Sequence, residues 1–214
     1  MGNVVGLVGP SGSGKSALSK ALELFYKMKS GENVMDKYEQ IIQDAVKSVL
    51  DTDVSPSVLP LVVEEAISHT TRPMRKGEID GVHYHFVSEK EFLSLERYED
   101  TVYCGNFYGL TVKAVQDVLQ EAEVAIVVVD QHGIENIRAI QEITSIFLKT
   151  DLATMEAHMR ARGDSDELIS KRLKNAACNN ELVYPTADYT IDNRGSLSET
   201  LREAVKIIEQ LRAK

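Results

Sequence analysis

The chain has 214 residues, of which 43% are hydrophobic, and it carries a formal net charge of −9. That length supports one sizeable core with a lid or small subdomain. The acidic balance argues against a nucleic-acid polymer as partner, and no apolar run reaches the roughly 20 residues that a membrane span needs. Cys104 and Cys178, far apart, predict no disulfide framework. With no charged leader before the first apolar run, we expect a cytoplasmic protein without a membrane partner.

Short apolar runs alternate with amphipathic runs along the chain. This alternation predicts an α/β fold, a three-layer sandwich around a mainly parallel central sheet. The uninterrupted apolar run 124–129 is typical of a parallel strand that is buried on both faces. The predicted strands are 4–8, 61–67, 124–129, 145–148 and 189–191. The predicted helices are 15–28, 36–50, 89–97, 111–121, 133–141, 152–162, 166–175 and 197–211.

A glycine-rich run, GPSGSGKS, directly follows the first predicted strand and precedes the first predicted helix. It matches the phosphate-binding pattern G-x-x-x-x-G-K-[ST] in the required context. In such a loop the backbone N–H groups surround a polyphosphate, the lysine reaches the β- and γ-phosphates, and the last hydroxyl binds Mg²⁺. The run therefore predicts a nucleoside triphosphate site. Its candidate residues are Gly9, Ser11, Gly12, Ser13, Gly14, Lys15 and Ser16.

A second run, SHTTRPMRKGEIDGVHYHF at 68–86, contains two arginines three residues apart and a tyrosine. Guanidinium groups bind phosphate oxygens in pairs, and a phenol adds another donor. An Arg-x-x-Arg pair alone is usually a solvated surface feature. Together with a triphosphate loop in the same chain, Arg72, Arg75 and Tyr84 indicate the second phosphate site that a nucleotide kinase needs.

Several further runs complete a pattern, and with them the chain resembles the guanylate kinase family. They are 68–86, GNFYG at 105–109, DQHG at 130–133, RARG at 160–163 through KRL at 171–173, and YTIDN at 189–193. The resemblance implies a P-loop core at about 1–29, 112–150 and 185–214, a small acceptor-binding (NMP) subdomain at 61–111 and a helical lid at 151–184. Segment 30–60 has no counterpart and is interpreted as an insertion, either an extra lid or an oligomer contact.

The resemblance implies transfer of the γ-phosphate of ATP, with Mg²⁺, to GMP or dGMP, by a monomer or homodimer. Lys15, Arg162 and Arg172 would be catalytic, and Ser16 and Asp130 would face the metal. The carboxylate six residues before Gly105 would pair with the guanine N1–H and 2-amino groups. The implied acceptor-binding residues are Ser68, Arg72, Arg75, Tyr84, Glu99, Tyr108 and Asp130.

Three departures from the family pattern leave the acceptor open. Leu110 replaces the usual Ser or Thr, and Thr111 is a candidate substitute for the missing hydroxyl. Val128 replaces the first aspartate of Asp-x-Asp, and His158 replaces a common lid arginine. Strand alternation predicts that Val128 and Asp130 share one face. The alternatives are a related kinase for another nucleotide or a phosphorylated sugar, and a catalytically silent binding module.

Overall fold

A computed structural model describes residues 2–32, 34–52, 61–75, 77–103 and 105–212. Cys104 and the prolines at 56 and 60 lie outside these ranges. In chain order the elements are β1 (Asn3–Val8), α1 (Lys15–Lys29), a 3₁₀ turn (Met35–Lys37), α2 (Gln40–Leu50), β2 (Val63–Glu65), β3 (His69–Thr70), β4 (His85–Phe86), α3 (Glu89–Ser94), β5 (Arg97–Tyr103), β6 (Asn106–Thr111), α4 (Val112–Glu121), β7 (Val124–Val128), α5 (Gln131–Arg138), β8 (Thr144–Lys149), α6 (Leu152–Ala161), α7 (Asp166–Cys178), β9 (Tyr189–Asp192) and α8 (Leu197–Arg212).

A five-stranded parallel sheet forms the centre of the fold, with strand order β2-β7-β1-β8-β9. One apolar cluster joins one face of this sheet to α1, α2 and α8, and a second joins the opposite face to α4 and α5. β7 contributes Val124 and Ile126 to the first cluster and Ala125 and Val127 to the second. The predicted three-layer α/β sandwich and the doubly buried strand are confirmed.

A separate four-stranded sheet has the order β4-β3-β6-β5. β3 pairs in parallel with β4 and antiparallel with β6, and β5 pairs antiparallel with β6, with an irregularity between Arg97 and Glu99. The predicted helix 89–97 is too long: α3 ends at Ser94, and Arg97 already begins β5. No strand of this sheet was predicted, because β3 and β4 have two residues each and β5 lacks a long apolar run.

The described part of segment 30–60 packs onto the first apolar cluster. Ile42, Val46 and Val49 of α2 are buried there, next to α1 and α8. Ile41 of the same helix is 63% exposed. The helix begins at Gln40 rather than 36, after the 3₁₀ turn. None of the helices in the described ranges is long and apolar enough to span a membrane.

Candidate active site

The glycine-rich loop joins β1 to α1, as predicted, and two of its glycines are required by geometry. Gly14 precedes α1 with φ of +90°, a left-handed conformation that glycine adopts without strain. Gly12 has φ of +85°, and a Cβ there would lie 3.2 Å from both the Met155 carbonyl oxygen and the Met159 Cγ. The loop therefore lies directly against α6, so the start of the predicted lid and the loop form one packed unit.

Asn193, which is distant from the glycine-rich loop in sequence, is hydrogen-bonded to it. The Asn193 side-chain amide donates to the carbonyl oxygen of Ser13, and the Thr200 hydroxyl donates to Asn193. The Ser13 hydroxyl is buried and has no hydrogen-bond partner among the described residues. The Asn193 segment matches the family in sequence, but its contact with the loop was not predicted, since the two lie 180 residues apart.

Lys15 folds its ammonium group back onto the loop. Its Nζ donates to the carbonyl oxygens of Gly9 at 2.7 Å and Pro10 at 3.0 Å. Burial lowers the pKa of Lys15 to about 8, with Glu181 and Asp130 raising it and Arg162 and Arg172 lowering it further. Two carboxylates and two guanidinium groups therefore act on this buried ammonium group, and a glycine-rich loop with its backbone N–H groups turned inward suits an anionic ligand.

Three predicted acceptor residues, Arg72, Tyr84 and Tyr108, come together. The Arg72 guanidinium group donates to both carboxylate oxygens of Glu78, at 2.9 and 2.8 Å. It also lies 5.6 Å from the centroid of the Tyr84 ring, and the Tyr84 and Tyr108 ring centroids are 5.8 Å apart. The hydrogen bonds that Arg72 donates to Glu78 and Tyr108 help to raise the pKa of Arg72. Glu78 belongs to the run that contains the arginines, but no role was predicted for it from the sequence.

Arg75 and Ser68 lie at the edges of this cluster. The Arg75 side chain is exposed, while its backbone N–H donates to Glu78 at 2.6 Å. Its charge acts on Asp164 of the predicted lid: burial raises the pKa of Asp164, but Arg162, Arg172 and Arg75 reverse the shift and lower it. The Ser68 carbonyl oxygen accepts the N–H of His85 and joins β3 to β4. The charge of Arg75 therefore acts on the lid, while its backbone N–H holds Glu78 of the acceptor cluster.

Glu99 lies against the first turn of α5, where a Cβ on Gly133 would be 3.1 Å from the Glu99 Cγ. Burial, with Asp130 and Asp100 adding to it, raises the pKa of Glu99 to about 7. Asp130 caps α5, since its Oδ1 accepts the N–H of Gly133 at 2.8 Å. β7 ends at Val128, so the expected strand alternation does not extend to Asp130.

Leu110 and Thr111 do not form a polar wall for a base. Leu110 is fully buried in the second apolar cluster, opposite Glu99 in the β5–β6 pairing. Thr111 is 2% exposed, and its hydroxyl accepts the N–H of Ala114 as the cap of α4. That oxygen therefore already takes part in a helix cap, and the role of Thr111 as a substitute for the missing hydroxyl stays a prediction.

Both predicted lid arginines contact one carboxylate. Arg162 and Arg172 form ion pairs with Asp164, the second at 2.9 Å between Nη1 and Oδ2. Arg160 instead pairs with Glu156 and Asp166 on the outside of the lid, so it does not join this group. His158, at the expected arginine position, places Nδ1 2.9 Å from the Gly12 carbonyl oxygen.

Charge interactions link several of these groups in pairs. Lys15 interacts electrostatically with Asp130, Asp130 with Glu99, and Arg75 with Asp164. Within the described ranges no group of three or more His, Cys, Asp or Glu residues could hold a metal ion by itself. Hydroxyl and carboxylate oxygens are nevertheless present at the ends of β1 and β7, and hard cations such as Mg²⁺ prefer such donors.

A parallel sheet with a glycine-rich loop between its central strand and the following helix defines a P-loop protein of the α/β class. The guanylate kinase family model matches residues 57–211. Guanylate kinase of Pseudomonas fluorescens (strain Pf0-1) is 34% identical over 86% of this chain and 76% of its own length. Guanylate kinase of Haemophilus influenzae (strain 86-028NP) is 31% identical over 99% and 89%. The chain belongs to the guanylate kinase family.

A solved structure agrees with this fold. The crystal structure of guanylate kinase from Anaplasma phagocytophilum is matched with a TM-score of 0.61, at 23% identity, over 100% of this chain and 87% of that one. At this identity the likeness concerns the fold. The predicted family resemblance is confirmed.

Proposed function

We propose that this chain is a guanylate kinase that transfers the γ-phosphate of ATP to GMP or dGMP, giving ADP and GDP or dGDP. One observation carries the proposal: the Lys15 loop and the segment of Arg72 are linked through the lid. Arg162 and Arg172 act on the charge of Lys15 and pair with Asp164, and the charge of Arg75 acts on Asp164 as well. Two phosphate sites with a carboxylate beside one of them suit a donor triphosphate and an acceptor with a base. The family and the names of the relatives support the same reaction.

The donor nucleotide would be held by the loop, with Lys15 exchanging its two carbonyl partners for the β- and γ-phosphates. The buried, unpartnered Ser13 hydroxyl is a further donor available to a ligand. Two residues would face Mg²⁺. They are Ser16, which is exposed at the start of α1, and Asp130, whose Oδ1 already accepts the N–H of Gly133. Oxygen donors of this kind fit that ion, which when bound would neutralise phosphate charge. The loop residues in this role are Gly9, Ser11, Gly12, Ser13, Gly14, Lys15 and Ser16.

The acceptor monophosphate would bind Arg72, Arg75 and the two tyrosines. Arg72 is held by Glu78 and two aromatic rings, so its guanidinium group is positioned before the phosphate arrives. Glu99 would accept the N1–H and 2-amino groups of guanine, two adjacent donors that adenine lacks. Ser68, half-buried at the start of β3, would contribute its hydroxyl to the same pocket. With Leu110 buried, base discrimination would depend on Glu99.

Catalysis would follow from charge and position. Two anionic groups must meet in line, and phosphoryl transfer needs neutralisation more than covalent help from the protein. The charge would be neutralised by Lys15 on the loop and by Arg162 and Arg172 on the lid. As the lid closes, the two arginines would exchange Asp164 for phosphate oxygens. Closure also excludes water that would otherwise hydrolyse ATP. The acceptor phosphate is already ionised at neutral pH, so no general base is assigned.

In this proposal the chain is one guanylate kinase-like domain, with the subdivisions given above. The core would comprise about 1–29, 112–150 and 185–214, the acceptor subdomain 61–111 and the lid 151–184. The insertion at 30–60, whose helix α2 packs against α1 and α8, would then thicken the core rather than cover the acceptor. The enzyme would act as a monomer or homodimer.

Two variants separate the donor and acceptor sites. Phosphorus NMR of wild type with Mg²⁺-ATP and GMP should show ADP and GDP forming in equal amounts. Arg72→Ala should weaken GMP binding about 10–100-fold, from loss of a charge-assisted bidentate contact, while ATP binding stays unchanged. Arg160→Ala is the control, since that arginine is paired on the outside of the lid. Equal loss of both nucleotides, or no GDP from wild type, would contradict the proposal.

A further inference from the structure

Asn193 contacts both sides of the peptide group that joins Ser13 to Gly14 in the glycine-rich loop. Its Nδ2 donates to the Ser13 carbonyl oxygen. A Cβ built on Gly14 would lie 2.6 Å from the same Nδ2, so the amide also lies beside the Gly14 Cα. Asn193 is only 5% exposed, and the reaction described above gives its side chain no part.

This contact sets the direction of the Gly14 N–H. The peptide group is planar and trans, so its C=O and N–H bonds point in opposite directions. Because Asn193 holds the Ser13 carbonyl oxygen on one side, the Gly14 N–H points to the other side, away from Asn193. The preceding N–H, that of Ser13, already donates to the Pro10 carbonyl oxygen at 3.1 Å within the loop. The two neighbouring N–H groups therefore differ, and only that of Gly14 is directed by Asn193.

Asn193 is itself held by the elements on either side of it. Its backbone N–H donates to the Lys149 carbonyl oxygen at 2.8 Å, directly after β9. The Thr200 hydroxyl, in the first turn of α8, donates to the Asn193 Oδ1. Since Oδ1 accepts from Thr200, the Nδ2 end of the amide faces Ser13. Thr200 is 1% exposed and Ser13 is fully buried, so water does not replace these hydrogen bonds.

We propose that Asn193, fixed by Thr200, is a positioning residue of the donor site and turns the Gly14 N–H toward the phosphates that the loop binds. A backbone N–H that already points at its anion needs no rearrangement when the anion arrives, and this preorganisation strengthens binding. Because α8 packs on the first apolar cluster through Leu201 and Val205, the core rather than the ligand sets the direction of this N–H. This inference rests on the proposed nucleotide site.

The test follows ADP binding and the Gly14 amide signal in the full chain. Asn193→Leu keeps the size of the side chain and removes its amide. It should weaken ADP binding about tenfold, because a misdirected N–H no longer donates to the charged phosphate, and leave GMP binding unchanged. In proton–nitrogen NMR spectra, the Gly14 amide proton should move downfield when ADP is added to wild type. It should move much less in Asn193→Leu.

A second pair of variants tests how Asn193 is fixed. Thr200→Val removes the hydroxyl at nearly constant volume and should weaken ADP binding about threefold, whereas Thr200→Ser keeps the hydroxyl and should bind ADP as wild type does. This pair carries the test if circular dichroism shows that Asn193→Leu does not fold. Val205→Ala is the matched control: it removes buried atoms from the same helix and should lower stability without changing ADP binding.

Three outcomes would overturn the inference while leaving the proposed function intact. They are ADP affinities of Asn193→Leu and Thr200→Val equal to that of Val205→Ala, equal losses of ADP and GMP affinity, and a Gly14 amide that still shifts as in wild type. A wild-type protein that fails to bind ADP would instead contradict the proposed function.

Discussion

Glu99 combines burial with neighbouring carboxylates, and this makes guanine recognition dependent on pH. Its pKa is raised to about 7 by burial, Asp130 and Asp100. Only the ionised carboxylate accepts two hydrogen bonds from guanine, so GMP affinity should rise as pH increases from 6 to 8. Titration calorimetry at pH 6, 7 and 8 measures this rise. Glu99→Gln should weaken GMP binding about 10–100-fold, from loss of a charged hydrogen-bond acceptor, and keep only the pH dependence of the phosphate itself.

The exposed Glu96→Gln provides the control for that experiment, and it should follow the wild-type curve. A Glu99→Gln curve parallel to wild type would show that another group causes the pH dependence. AMP, which lacks the two donors, should bind weakly at every pH in both proteins.

Leu110 belongs to the apolar core, although its position in the family pattern suggests a role in the base pocket. It is fully buried, whereas Leu93 on α3 is 57% exposed. Leu110→Ser should therefore lower the free energy of unfolding by about 3–5 kcal/mol, through a cavity and a buried hydroxyl, without improving GMP affinity. Urea unfolding measures the loss, and Leu93→Ser should change it by less than about 1 kcal/mol. A stable Leu110→Ser protein with tighter GMP binding would place this residue in the pocket.

At the scale of elements, Asp164 in the loop between α6 and α7 forms ion pairs with two lid arginines. Arg162 and Arg172 are paired there and also act on Lys15, whereas Arg160 pairs on the outer side. Arg162→Ala and Arg172→Ala should each lower kcat about 10²–10³-fold, as expected for loss of one charge from a phosphoryl-transfer site. Steady-state kinetics with saturating GMP measures this. Arg160→Ala should retain kcat within about threefold, and an equal loss in all three variants would indicate a structural role for the lid.

Elements with a long periodic or apolar pattern were predictable from the sequence. α1, α8 and β7 lie within one residue of their expected bounds because each has a repeated apolar pattern. The four-stranded sheet was not predictable, since β3 and β4 are two-residue strands fixed by pairing with distant partners. Short strands have too few residues for an alternating pattern to appear, and tertiary pairing decides their conformation.

In the candidate site, too, local sequence motifs were predictable and interactions between distant residues were not. The loop residues and Arg72, Tyr84 and Tyr108 could be proposed as site residues because contiguous motifs carry them. Interactions between distant segments could not be predicted. These are the hydrogen bond of Asn193 to Ser13, the charge effect of Arg75 on Asp164, and the effect of Ser19 on the pKa of Glu65. Each depends on how elements pack, which local sequence patterns do not encode. The helix caps at Asp130 and Thr111 also appear only once α4 and α5 are placed.

For the whole molecule, the two desolvated carboxyls predict how stability depends on pH. Glu65 and Glu99 have pKa values raised from 4.5 to about 7, so the folded state holds more protons than the unfolded state between these values. The free energy of unfolding should therefore fall as pH rises from about 4.5 to 7, then level off. His69, whose pKa is lowered by burial, acts in the opposite sense near pH 6.5.

The double variant Glu65→Gln/Glu99→Gln isolates that contribution. Its stability relative to wild type should increase as the pH rises from 5 to 7, and each residue should contribute at most about 1.4 kcal/mol for a tenfold change in proton concentration. Urea unfolding of both proteins at pH 5, 6, 7 and 8 measures the difference. A difference that does not change with pH would mean that neither carboxyl retains its proton on folding.

The acceptor panel tests the central claim most directly. Purified protein is mixed with Mg²⁺-ATP and, in separate reactions, with GMP, dGMP, AMP, dAMP, CMP, UMP and dTMP, and the formation of each diphosphate is followed. We predict fast turnover confined to GMP and dGMP. Fast turnover of a different monophosphate would contradict the role given to Glu99, and ATP binding without any phosphoryl transfer would contradict the enzyme itself.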